Sequence, residues 1–111
     1  MTKENSKMEG EKIIVKVDAD LEDLIPDYLQ NREKDIESIQ EAISNQDYEA
    51  IRIIGHSMKG SGSGYGFEEI SNIGKDIEEG AKRKDLDLIR NSLKKLLSYL
   101  KRVEVIYEEL E

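Results

Sequence analysis

The chain has no cysteine, a single proline, a single histidine and no long apolar run. Without cysteine there are no disulfides and no thiolate metal sites, which agrees with a reducing compartment. No segment approaches the roughly 18 consecutive apolar residues of a membrane span, and Met1 to Ser6 lacks the apolar core of a signal peptide. Positive charge is also short: 17 Lys and Arg stand against 25 Asp and Glu, a net charge of -8. That balance argues against nucleic acid or an anionic membrane as the main partner. The expectation is a cytoplasmic protein of one small domain, because 111 residues suffice for one core and not for two.

What is present is mostly helical periodicity. Residues 1–19 read as a flexible N-terminal tail containing an extended segment, the β-prone run Ile13-Ile14-Val15-Lys16-Val17. A single such run has no evident strand partner, so it is expected to lie as an arm against the domain or to pair with another molecule. From Asp20 apolar residues recur at steps of three and four, through Leu21, Leu24, Ile25, Tyr28, Leu29, Ile36, Ile39 and Ile43. Pro26 is best tolerated in a first turn, which places a short helical turn before it and a first helix from Pro26 to about Ser44. Asp47 is positioned to cap a second helix from Tyr48, and four glycines between Gly60 and Gly66 predict its end near Gly62.

A third helix is expected from Phe67 to Arg83, with Ile70, Ile73, Ile77 and Ala81 inward and Gly74 admitting a close neighbour. Asp85 caps a fourth, whose stripe Leu86, Ile89, Leu93, Leu96, Leu100, Val103, Tyr107 and Leu110 predicts a helix about 36 Å long at 1.5 Å per residue. Short turns force neighbours to run antiparallel. The fold class is therefore all-α: an up-down-up-down four-helix bundle over residues 20–111, preceded by the short helical turn.

His56 is the residue with chemistry. With Met58 at the centre of the buried face, roughly 100° per residue puts Ile51, Ile54, Gly55, Gly62 and Tyr65 inward. The same arithmetic puts His56 outward, together with Arg52, Ile53, Lys59, Gly60 and Ser63. Residues at i+3 and i+4 meet a helical side chain directly, and here they are a cation and a glycine. A neutral imidazole, with an ordinary pKa of about 6.5, offers a lone pair that can attack phosphorus. The ammonium of Lys59 can neutralise part of the charge so acquired, Gly60 leaves room beside the ring, and Ser63 offers a hydroxyl. Ile53 is an apolar contact for a docking partner, and Arg52 a cation for its acidic residues. The glycine run fails as a phosphate loop: G-x-G-x-x-G needs glycine where Tyr65 or Phe67 stands, and the P-loop needs lysine where Ser61 stands.

At these positions the chain resembles the histidine-containing phosphotransfer (HPt) domain. The family pattern of His, a hydrophobic residue at +2, Lys at +3, Gly at +4, a small residue at +5 and Gly at +10 is matched by His56, Met58, Lys59, Gly60, Ser61 and Gly66. The similarity continues through Ile70, Ile73, Ile77, Glu78, Ala81, Asp85 and Leu86, and covers roughly residues 20 to 105. The resemblance implies that His56 is the phosphoacceptor, Lys59 the phosphoryl-stabilising cation and Gly60 the position of close approach. It also implies partners: a response-regulator receiver domain with its own Mg²⁺, a histidine kinase, or both. The domain is expected to be a monomer with no metal or cofactor of its own. Length and the absence of a nucleotide-binding module exclude a full histidine kinase, and no second residue is evidently placed to activate water. The alternative is a helical adaptor that binds or sequesters a receiver without carrying phosphate.

Overall fold

The computed structural model describes residues 11–109. Four helices follow one another: α1 (Ile25–Ser44), α2 (Tyr48–Ser61), α3 (Glu68–Arg83) and α4 (Leu86–Arg102). A 3₁₀ turn at Ala19–Leu21 precedes the first, and a second at Ser63–Tyr65 follows α2. The expected up-down-up-down bundle is present, with helix limits within a residue or two of those read from the apolar spacing for α1, α2 and α3. No helix among the described residues is long and apolar enough to cross a membrane.

The helix ends are set by local chemistry. Asp47 accepts the amide of Ala50 at 3.1 Å and Asp85 that of Leu88 at 3.1 Å, each satisfying an amide that has no partner within the helix. Pro26 occupies the first turn of α1, where its missing donor costs nothing. α2 stops at Ser61 and the chain tightens through Gly62 into the 3₁₀ turn, as the glycine density predicts. The core between the helices is built from Ile39, Ile51, Met58, Phe67, Ile70, Ile77, Ile89 and Leu96, all fully buried. Phe67 stacks on Tyr28, whose ring also stacks on that of Tyr65 at 4.3 Å between centroids.

Two expectations are corrected. The fourth helix does not continue toward Leu110: it ends at Arg102, and Val103–Glu108 forms strand β2 (Leu110 itself lies outside the described residues). Nor is Ile13–Val17 an arm without a partner. Residues Ile13–Asp18 form strand β1, which pairs in parallel with β2 in the register Ile13 to Val103 through Asp18 to Glu108. The tail assigned to residues 1–19 therefore contains a structural strand whose Val17 is only 1% exposed; residues 1–10 lie outside the described residues. The ribbon stands beside the bundle, with Ile13, Val15, Val103, Val105 and Tyr107 packed toward the core and Ile14 and Ile106 outward. Lys12 pairs with Glu104 and Lys16 with Glu108 along its outer face.

Candidate functional site

The helical wheel of α2 is realised as drawn from Met58. Ile51, Gly55 and Met58 are buried, while Ile53, His56, Lys59 and Gly60 face solvent. The His56 side chain is 65% exposed, enough for a separate protein to reach its ring. Among the described residues, the surface depressions that border α4 do not include His56.

The α2/α3 contact brings the site together. Gly55 and Gly74 face each other with no side chain between the two backbones. A Cβ on Gly55 would stand 2.6 Å from the amide nitrogen of Glu78, and one on Gly74 only 2.5 Å from that of Lys59. This proximity places the Glu78 carboxylate beneath the exposed pair. Its Oε2 is 3.0 Å from His56 Nδ1 and its Oε1 is 2.9 Å from Lys59 Nζ. Lys82, one turn along α3, reaches to 3.9 Å of Oε2.

The Glu78 side chain is 7% exposed, so its carboxylate is stable there only if paired and hydrogen-bonded. It is: the hydrogen bond from Lys59 holds its pKa below the ordinary 4.5, burial opposes this, and the hydrogen bond from His56 adds to the lowering. An ionised carboxylate accepts and cannot donate, so the hydrogen of the 3.0 Å contact belongs to Nδ1. In the neutral ring the lone pair then lies on Nε2. Fixing one nitrogen of a histidine through a carboxylate sets both its tautomer and its orientation.

The remaining residues singled out in the sequence are distributed as follows. A Cβ on Gly60 would meet nothing within 4 Å, so the space beside the ring is open. Ile53 is 53% exposed, one turn before His56 on the same face. Arg52 is engaged by Glu49, with Nε at 3.0 Å and Nη2 at 2.6 Å from the two carboxylate oxygens. Ser63 lies past the end of α2, about 10 Å along the axis from His56 at 1.5 Å per residue, and its amide donates to Ser71 Oγ at 2.8 Å. Ser71 Oγ in turn donates to the Lys59 carbonyl at 2.9 Å, tying the C-terminal turn of α2 to α3.

Glu78 is the residue that the reading of α2 alone passes over. Its signal is present in α3: a carboxylate four residues after Gly74, next to Ile77 and three before Ala81, is on the edge of the buried face. A charge in that position demands a cation from the neighbouring helix.

The Hpt domain family model matches residues 23–104, most of the chain, and the protein belongs to that family. No curated protein and no solved structure matches it. Hpt domains are helical phosphocarriers that interact with receiver domains and histidine kinases, which gives this chain a phosphotransfer-type role in two-component signalling.

Proposed function

We propose that the protein is a cytoplasmic phosphorelay intermediate. It accepts a phosphoryl group on His56 from a phospho-Asp receiver or a histidine kinase and passes it to another receiver. The supporting observation is the hydrogen bond between Nδ1 of an exposed His56 and the buried Glu78 carboxylate, which directs the nucleophilic lone pair to the outward Nε2. In the forward step Nε2 bonds to phosphorus as the bond between phosphorus and the aspartyl oxygen breaks, and the electron pair leaves with the aspartate carboxylate. No proton need move. Nδ1 keeps its hydrogen, the ring gains positive charge, and Glu78 Oε2 stabilises that charge at 3.0 Å.

Lys59 supplies the balancing cation. Its ammonium rests on Glu78 Oε1 and is 42% exposed, free to turn toward phosphoryl oxygens once they arrive. A lysine on a flexible stem suits this better than arginine, because a point charge moves between two anions without a fixed fork geometry. The open space at Gly60 and the apolar surface of Ile53 receive the partner, which brings its Mg²⁺ and the rest of the catalytic groups. This assigns the protein no kinase or phosphatase activity and no cofactor of its own.

The test uses His56→Gln against a panel of labelled phospho-receivers from the source organism. Wild type is expected to take up acid-labile label, and the variant to bind receivers without taking it up. Wild-type protein that binds a phospho-receiver and never acquires label would establish the adaptor reading instead.

A further inference from the structure

Opposite the His56 and Glu78 edge, α1 and α4 close the bundle and leave a groove of about 440 Å³ between them. Its floor is Ile36, Leu97 and Leu100, and Leu97 is 44% exposed. Glu33 and Glu37 line it from α1, Lys101 from α4. A second depression continues along α4 past Lys94 and Leu97. Charge is sorted between the two helices. Glu33, Glu37 and Glu41 recur every fourth residue on exposed positions of α1, while Arg90, Lys94 and Lys101 share the exposed side of α4 with Leu97. Among the described residues none of these six enters an ion pair.

A face carrying an acidic row, an apolar strip and a basic row is complementary to itself. An all-acidic or all-basic partner would confront one row of like charge, whereas a two-fold rotation exchanges the rows. The axis must run parallel to the helices: α1 of one copy then lies over α4 of the other. An axis across the helices would set glutamate on glutamate. Because Glu33 and Lys101 line the same stretch of groove, the rows also match in height. We propose that this face binds a second copy of the chain, forming an isologous dimer in which Leu97 packs near the axis and Glu33 and Glu37 of each copy meet Lys101 and Lys94 of the other. Both His56 rings then point away from the interface, so each copy keeps its own docking side. This dimer is independent of the phosphotransfer reading and replaces the expected monomer.

Sedimentation equilibrium of the full chain over a range of concentrations at low salt tests it. Wild type is expected to show concentration-dependent dimers that weaken as salt screens the charge rows. Leu97→Glu is expected to raise the dimer dissociation constant by about tenfold or more. Glu33→Lys and Lys101→Glu should each weaken association by about tenfold, and the double exchange should restore it. All three side chains are exposed, and circular dichroism verifies that the variants keep the helical fold. A monomer at every concentration, a dimer indifferent to Leu97→Glu, or a double exchange that restores nothing would each overturn the proposal.

Discussion

Gly74→Ala tests the link between packing and chemistry, because one methyl group has to separate the helices that assemble the site. The added Cβ would lie 2.5 Å from the Lys59 nitrogen, 2.8 Å from the Gly55 oxygen and 2.9 Å from the Met58 carbonyl carbon. All three are backbone atoms of α2 that no rotamer change can move. Non-bonded carbon contacts relax at about 3.5 to 4.0 Å, so α3 must retreat by about 1 Å. Overpacking of this kind costs about 1–3 kcal/mol, against which alanine gains about 0.5–1 kcal/mol over glycine in a helix interior. The net expectation is destabilisation by about 1–2 kcal/mol, read from urea or guanidinium unfolding. The same retreat stretches the 3.0 Å contact from Glu78 to His56 beyond hydrogen-bonding range. Nitrogen NMR of the imidazole should then report loss of the fixed Nδ1–H form, and phosphoryl uptake should slow. Gly60→Ala is the control. With nothing within 4 Å of its Cβ, it should stabilise α2 by about 0.5–1 kcal/mol while slowing transfer from a receiver that needs the space. A Gly74→Ala variant as stable as wild type, with its Nδ1–H form intact, refutes the claim that glycine contact builds the site.

Four further outcomes follow from three side chains. Glu78→Leu removes the anchor of the ring and of Lys59, so phosphoryl uptake by His56 should fall about tenfold or more; an unchanged rate would exclude Glu78 from the reaction. Because the Glu78 pKa is depressed in the folded state, its stabilising contribution is present above about pH 4.5 and lost as pH falls through the folded value, so Glu78→Gln should flatten acid unfolding relative to wild type. Burial pushes the Tyr99 hydroxyl from 10.0 up to about 12, with Glu69 adding to the shift, so its contribution is complete below pH 10 and declines toward pH 12; Tyr99→Phe should remove that part of the alkaline transition, followed by tyrosinate absorbance. Val17→Ala should cost about 2 kcal/mol in denaturant unfolding if β1 is structural, and nothing if residues 11–19 are a tail.

The helices were legible because their signals agree at every level. Apolar spacing, Asp47 and Asp85 at the caps, Pro26 in a first turn and the glycine cluster all point to the same boundaries. The ribbon was not, for a reason of arithmetic. Val103 and Tyr107 are four residues apart, and a step of four returns to the same face of a helix and to the same face of a strand. The stripe of α4 therefore runs into β2 without a visible break. The discriminating evidence lies between: Val105 is inward and Glu104 and Ile106 outward, an alternation that only a strand satisfies, in a stretch rich in β-branched residues. Its partner is hidden by distance. A parallel pair requires a crossover, and here the crossover is the whole bundle, so nothing near Ile13–Val17 in the sequence announces Val103–Glu108.

The site divides the same way, into a half that one helix determines and a half that needs two. His56, Lys59, Gly60 and Ile53 share a face of α2 by rotation alone, and the structure keeps them there. Their chemistry is completed by Glu78, whose place depends on how near α3 comes to α2, and that distance is fixed by Gly55 and Gly74 meeting backbone to backbone. With a larger side chain at either glycine the same α2 face would present an imidazole of unfixed tautomer and a lysine with no anion to rest on. The residues that make His56 directional are thus two that lack side chains and one carboxylate that is buried. None of the three is exposed, yet together they decide which nitrogen of the ring faces outward.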